Sequence, residues 1–281
     1  MLYNISMEVL LKHDEVVEDL CCDGLSLIQS RNEYRFTTDA VLLANFCRDL
    51  TGKTCVEFGT GSGVIAILVA HKKHPKKVIA MEIQQQLADI ATRNMQLNNL
   101  ENTVSVVCDD LKNAAKYVTN PVDAVVCNPP YRRVGSGEMQ KFDHIAMCRH
   151  EISATLADIV ATAAKILNNR GALCMVHQSS RLAEICEVCG ANKLVVKEIV
   201  PVCPRPDVDP NLVLVRAVKC GGQDCVLSAP LYVTDKHGEY TPAAKAWYGT
   251  ERVVGGSGGS ECADDIDPDC PFDKNANSEE K

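Results

Sequence analysis

No apolar stretch in this 281-residue chain approaches the ~20 residues that a membrane-spanning helix needs. The first residues do not pass from a basic patch into an apolar block, so a secretory leader is not expected and the chain is placed in the cytoplasm. Net positive charge is also lacking: the chain carries −8, which argues against a nucleic-acid partner. That charge is uneven, however. Residues 255–281 hold eight acids and two lysines, a net of −6, and −8 less −6 leaves −2 for everything before them. A nearly neutral body can still present a basic face. Candidates are Arg132, Arg133, Arg149, Arg181, Arg205 and the lysines Lys72, Lys73, Lys76 and Lys77, although such residues taken singly are more often solvated surface charges. Cysteine is abundant at fifteen residues, but a second metal-type pair is missing. Only Cys186 and Cys189 have that spacing, with no partner pair or nearby histidine to complete a tetrahedral site. Cys55, Cys108, Cys127 and Cys174 are read as small buried apolar residues in a reduced compartment.

Hydrophobic residues make up 46% and charged residues 23% of the chain, enough for a substantial core. Residues 1–50 read as a lead-in. In it, Leu25 to Ile28 forms a short strand, paired as a hairpin with Tyr34 to Phe36, and Thr38-Asp39 caps an apolar helix from Ala40 to Phe46. From 51 to 220 strands and helices alternate. Strands are expected at 53–56, 77–80, 103–107, 122–127, 172–176, 194–200 and 212–218, and helices at 64–70, 84–98 and 151–167. This is a doubly wound α/β sheet ending in a hairpin. Residues 132–148 lack periodicity and suit a lid over a substrate or a plain connection. Residues 221–254 add a C-terminal extension, and 255–281 read as a flexible linker followed by a disordered acidic tail.

The most informative residues are Asn128-Pro129-Pro130-Tyr131. They follow Val122 to Cys127, a β-branched run that suits a buried parallel strand. The prolines force the backbone out of the sheet at its carboxyl end, where open α/β sheets place ligands. The Asn128 side-chain oxygen and the Pro129 carbonyl can both accept hydrogen bonds from one amino group, and Tyr131 can stack on a flat ring. Upstream, Glu57-Phe58-Gly59-Thr60-Gly61-Ser62-Gly63 joins a strand to a helix, with glycines that let the backbone approach a ligand. The next strand ends in Glu82, suited to ribose hydroxyls. The third ends before Asp109 and Asp110, either of which can accept from an adenine amino group.

Gly61-Ser62-Gly63-Val64-Ile65-Ala66 also satisfies the dinucleotide pattern, with Glu82 about 20 residues on. Two features favour S-adenosylmethionine over a nicotinamide cofactor. Glu57 would repel a pyrophosphate but suits the amino group of a methionine moiety. The Asn-Pro-Pro-Tyr stretch has no part in hydride transfer.

The glycine loop, the acidic strand ends and Asn-Pro-Pro-Tyr resemble the class I S-adenosylmethionine-dependent methyltransferases that modify planar amino groups. Further stretches are similar to the bacterial tRNA(Val) adenine-37 N6-methyltransferases: Tyr34 to Leu43, Arg149-His150-Glu151, Pro210 to Leu214, and the segments Pro230-Leu231-Tyr232 and Gly238 to Thr241. The resemblance implies a Rossmann-like, mostly parallel, seven-stranded sheet. It implies a cofactor site lined by Thr38, Asp39, Glu57, Gly59, Thr60, Gly61, Gly63, Glu82, Ile83, Asp109, Asp110, Leu111 and Asn128. Catalysis would fall to Asn128, Pro129, Pro130 and Tyr131, without a metal, and Arg132, Arg133 and Arg149 would meet a tRNA anticodon loop. Arg132-Arg133 and the acidic tail depart from the family pattern. The same four residues serve enzymes that methylate a glutamine amide in release factors, but those usually carry a separate N-terminal helical domain, and about 50 lead-in residues leave little room for it. DNA adenine methyltransferases normally need a target-recognition domain with no counterpart in this sequence. A catalytically silent protein that binds cofactor or RNA is the remaining alternative, disfavoured because every motif residue is intact.

Overall fold

The structure, a computed structural model, describes residues 11–31, 38–129 and 154–248. Elements in chain order are β1 Glu15–Asp19, β2 Ser26–Ser30, α1 Thr38–Phe46, β3 Thr54–Phe58, α2 Val64–Lys73, β4 Lys77–Glu82, α3 Gln85–Leu97 and β5 Val104–Cys108. A 3-10 helix at Leu111–Lys116 precedes β6 Val122–Cys127. Then follow α4 Leu156–Ile166, β7 Leu167–Gln178, α5 Leu182–Ala191, β8 Leu194–Cys203 and β9 Leu212–Lys219. Two short strands, β10 Val226–Leu227 and β11 Leu231–Tyr232, lead to α6 Pro242–Tyr248.

Seven long strands lie in the order β5-β4-β3-β6-β7-β9-β8, with β10 and β11 both added along the outer edge of β8. The pairs from β5 across to β7 are parallel, while β9 runs antiparallel to both β7 and β8. The sheet is therefore the mostly parallel, doubly wound one that the alternation predicts. Strand order reverses between β3 and β6, which makes their carboxyl ends the switch point where such sheets hold ligands.

Parallel strands covered on both faces need apolar side chains pointing both ways. Val56 and Phe58 of β3 join one core, with Val125, Cys127, Leu173 and Met175, under α4 and α5. Cys55, alternate to them, joins the other core with Val126, Cys174 and Val176, under α1 and α2. Period-two alternation thus sorts one strand between two layers. Glu57 breaks the pattern, a carboxylic acid only 1% exposed where an apolar residue is expected.

Several boundaries differ from expectation. The hairpin partner of β2 is β1, which precedes it, in the register Glu15↔Ser30 to Asp19↔Ser26. The expected partner, Tyr34 to Phe36, lies outside the described residues. The acid-rich Glu15-Val16-Val17-Glu18-Asp19 gives a poor strand signal because the partners that hold its carboxylates lie outside the segment. Glu15 is held by both Nη atoms of Arg93 on α3, and Glu18 by Gln29. Helix α4 starts at Leu156, five residues later than the periodicity suggests. Thr155 is its N-cap, and Thr155 and Asp158 form a reciprocal capping box. Thr38 and Asp39 lie in the first turn of α1 rather than ahead of it. Cys108 is exposed at the end of β5, whereas Cys55, Cys127 and Cys174 are buried as expected.

The hairpin is fastened to α3 by two asparagines one turn apart. Asn98 accepts from the Ser26 amide and donates to the Ser26 carbonyl, and Asn94 does the same at Ile28. Two side chains thus satisfy alternate backbone groups along one edge of β2, as a neighbouring strand would. Among the described residues no helix is long and apolar enough to cross a membrane.

Candidate active site

Registers align the strand ends into one rim. Phe58 pairs with Met81 on one side and with Cys127 on the other, and Glu82 pairs with Cys108. The chain leaves β3 as Gly59 and leaves β6 as Asn128, in adjacent strands at the same level. Asn128 is half-buried and Pro129 buried. The crevice is thus bordered by the glycine turn, Glu82, Asp109 and Asn128. Pro130, Tyr131, Arg132, Arg133 and Arg149 lie outside the described residues.

Gly59, Gly61 and Gly63 take φ of +70°, +57° and +93°, a region that side chains rarely enter. At Gly63 space is a second constraint. A Cβ there would sit 2.7 Å from Met95 Cε and 3.3 Å from Ala91 Cβ, so glycine lets α2 and α3 approach at the turn. The turn is cross-braced: the Thr60 amide donates to the Met81 carbonyl, the Gly63 amide to the Thr60 carbonyl, and Asn94 Nδ2 to the Ser62 carbonyl. Beyond it, α2 points its amide-rich, partly positive end at the crevice.

Glu82 links turn and rim. Its Oε2 accepts from the Gly61 amide at 2.9 Å and its Oε1 from the Gln84 amide at 3.0 Å. Gln84 Nε2 also donates to Oε1, at 3.4 Å, so the second lone pair of Oε2 is open to a hydroxyl and that of Oε1 becomes so if the Gln84 side chain swings away. Ile83, next in sequence, is an exposed large apolar residue beside it. Asp109 accepts from Tyr117 Oη at 2.7 Å, Asn113 Nδ2 at 2.9 Å and the Asp110 amide. The Tyr117 phenol, then Asn113, hold its carboxyl below the usual range, and Asp109 in turn raises the phenol. Asp110 caps the following 3-10 helix through the Lys112 amide, and Leu111 packs against the core on that side.

Glu57 lies beneath the turn. Thr60 Oγ1 donates to its Oε2 at 2.7 Å, but its buried Oε1 has no hydrogen-bond partner. Burial pushes its carboxyl up to about 8. Nearby Glu82 adds to that rise, and the Thr60 hydroxyl and Ala66 amide oppose it. An orphaned buried carboxyl oxygen is costly, and a cationic donor entering the turn would satisfy it. The amino group of S-adenosylmethionine is such a donor, so the residues present fit that cofactor.

Thr38 and Asp39 reach the same end. Lys73 donates to the Asn45 carbonyl, Lys72 to Asn45 Oδ1, and the Leu50 amide to the Lys73 carbonyl. These bonds tie the carboxyl ends of α1 and α2, which pack along one another, so both helices start at the crevice side. The same contacts take Lys72 and Lys73 out of the expected basic face. Lys72 and Lys73 are internal clamps, Arg181 pairs with Glu184 and Arg205 with Asp207. Lys76 and Lys77 are exposed but sit at the amino end of β4, roughly 17 Å from Glu82 along the strand. Arg181 and Arg205, by contrast, follow the carboxyl ends of β7 and β8, on the same edge of the sheet as the crevice.

Fold and family model together define an S-adenosylmethionine-dependent methyltransferase of the Rossmann-like kind. The family model of the methyltransferase small domain matches residues 30–186, and the chain belongs to that family. A relative named tRNA1(Val) (adenine(37)-N6)-methyltransferase, from a Flavobacteriaceae bacterium, is 22% identical over 74% of this chain and 86% of its own. A relative from Methanocaldococcus jannaschii, assigned provisionally as a protein N5-glutamine methyltransferase, is 31% identical over 43% of this chain and 57% of its own. Among solved structures, a predicted O-methyltransferase from Agrobacterium tumefaciens superposes with a TM-score of 0.60 at 24% identity. That match covers 75% of this chain and 95% of the other and shows the shared fold.

Two contributors to this site carry little sequence signal. Asn94, which braces Ser62, sits on a helix face that otherwise reads as core. Tyr117, which holds Asp109, follows a short 3-10 helix without periodicity.

Proposed function

We propose that this chain transfers the methyl group of S-adenosylmethionine to N6 of an adenine in tRNA, adenine 37 of tRNA(Val). The observation that carries this reading is the adjacency of Gly59 and Asn128 at the switch point, which sets a candidate cofactor turn beside a candidate amino-group acceptor. The relative named for adenine 37 of tRNA1(Val) supports the choice of substrate, as it covers most of both chains.

S-adenosylmethionine supplies an electrophilic methyl group on a sulfonium. This chain's residues do the rest. Glu57 takes the cofactor's ammonium, Glu82 its ribose hydroxyls, Asp109 its adenine amino group, and Ile83 packs on the ring. Thr38 and Asp39 border the methionine end. At the substrate, adenine N6 is a poor nucleophile because its lone pair is delocalised into the ring. The Asn128 side-chain oxygen and the Pro129 carbonyl accept its two hydrogens, which localises the lone pair and aims it at the methyl carbon. Holding the reacting atoms about 3 Å apart contributes much of the rate. The two acceptors also stabilise positive charge as it builds on the nitrogen. The proton leaves after transfer, so no strong general base is needed. Tyr131 stacks on the flipped base, whose extrusion costs little from a single-stranded loop. Arg132, Arg133 and Arg149 meet loop phosphates.

A second reading, transfer to a glutamine side-chain amide, draws on the Methanocaldococcus relative. An amide NH2 suits the same two acceptors. Incubation with S-adenosylmethionine, unmodified tRNA transcripts and a release factor, followed by mass spectrometry, separates the two. N6-methyladenosine confined to tRNA(Val) is the expected result. N5-methylglutamine, with unmodified tRNA, would replace this reading with the second.

A further inference from the structure

On the far end of α2 the fold gathers a trio that methyl transfer does not use. Cys22 and Asp23 sit in the turn between β1 and β2, and His71 lies in the last turn of α2. Their ligand atoms, Cys22 Sγ, an Asp23 oxygen and a His71 ring nitrogen, all lie within 4.8 Å of one another. His71 Nε2 is 2.8 Å from Asp23 Oδ2. Among the described residues no other group of histidine, cysteine and acid is so placed.

We propose that Cys22, Asp23 and His71 bind a zinc-type divalent transition metal ion that staples the N-terminal hairpin to α2. One sulfur, one nitrogen and one oxygen form a borderline-soft set, which suits zinc and disfavours calcium and magnesium. Bonds of about 2.0–2.3 Å place tetrahedral ligand atoms about 3.3–3.8 Å apart, inside the observed spacing. The short contact between His71 and Asp23 must open by less than ~1 Å, and Asp23, with a side chain 71% exposed, has room to move. Cys22, by contrast, is only 3% exposed and anchors the site from within.

The turn is shaped for this convergence. Cys21 and Asp23, on either side of Cys22, both take left-handed φ near +50°, and Cys21 donates its amide to Asp19. Lys72 also neighbours the Cys22 thiol, but its ammonium already donates to Asn45 Oδ1 and the Trp247 carbonyl. The fourth position is left to water. Binding exchanges the thiol proton, released to solvent, for a sulfur–metal bond. The site lies eight residues along α2 from Gly63, roughly 12 Å, so the ion takes no part in the methyl-transfer chemistry.

The test uses the full chain, stripped with chelator and titrated with Co2+ and with Zn2+. One equivalent of Co2+ should bind with a thiolate-to-cobalt charge-transfer band and tetrahedral visible bands. Zn2+ at about a hundredfold over its Kd should raise Tm by roughly 5–10 °C. Cys22→Ser and His71→Gln should each lose the band and the Tm rise, while Cys21→Ser keeps both. His71 is partly exposed, so its variant reports even where Cys22→Ser misfolds. A wild-type chain with no thiolate band and no Zn2+-dependent Tm rise overturns the proposal. So does a band that survives in both Cys22→Ser and His71→Gln.

Discussion

Cofactor uptake should release a proton, and Glu57 is its source. The carboxyl stands at about 8 in the ligand-free fold against an ordinary 4.5. At pH 7 a group of that pKa is about nine-tenths protonated. Bringing an ammonium against the orphaned Oε1 favours the carboxylate and expels that proton. The cofactor's own α-amino group, with an ordinary value of about 7.7–8.0, takes up about 0.1–0.2 proton in return. Net release should be about 0.7–0.8 proton per cofactor at pH 7. Calorimetry in buffers of different ionisation enthalpy reads this number directly. Glu57→Gln keeps the shape but has no proton to lose. It should abolish the release and weaken binding by about 10- to 100-fold, the worth of a charged hydrogen bond. The same group sets a pH dependence of folding. A raised acid holds its proton longer in the folded chain than in the unfolded one, so stability falls as pH rises from 4.5 to about 8. At 1.36 kcal/mol per pH unit the loss is on the order of 5 kcal/mol. Glu57→Gln should flatten this slope in urea titrations at pH 5 and pH 8. Equal binding heats in every buffer for the wild-type chain, matched by the Gln variant, would refute the assignment of Glu57 to the cofactor's amino group.

Two further predictions concern the scaffold of the turn. Gly63→Ala forces a side chain into φ +93° and a Cβ to within 2.7 Å of Met95 Cε, so it should cost about 1–3 kcal/mol and weaken cofactor binding. Gly190→Ala, helical and in open space, should leave thermal unfolding unchanged or raise its midpoint. Asn94→Leu leaves the Ile28 amide, the Ile28 carbonyl and the Ser62 carbonyl without this buried partner. It should cost roughly 3–5 kcal/mol in urea unfolding, and the half-exposed Asn98→Ala less than half of that. Equal losses from the two would contradict the bracing role.

The rim of the crevice is legible in the sequence because its signals are local. A β-branched run followed by prolines fixes the exit at Asn128, and strand-to-helix glycines fix the exit at Gly59. Doubly wound topology alone then makes those two exits neighbours. What stays hidden depends on partners far along the chain. The strand Glu15–Asp19 looks too acidic until Arg93, 78 residues on, is seen to clamp Glu15. Asn94 and Asn98 look like polar interruptions of a core face until β2 is laid beside them. Lys72 and Lys73 look like a basic patch, but the packing of α1 on α2 turns them into internal clamps. Cys108 looks like a buried strand residue, yet it falls at the last position of β5, where the strand meets the rim. The later start of α4 follows from Thr155 and Asp158, a capping signature that overrides apolar periodicity extended too far toward the N-terminus.

The most direct test of the account is single-turnover methyl transfer from labelled S-adenosylmethionine to an unmodified tRNA(Val) transcript, with wild-type chain and Asn128→Ala side by side and cofactor Kd measured for each. The account predicts N6-methyladenosine from the wild type, a fall of at least about a hundredfold in the variant, and a cofactor Kd that stays within about threefold. A variant that transfers at the wild-type rate, or one that loses transfer only in step with cofactor binding, would contradict the role given to the carboxyl end of β6.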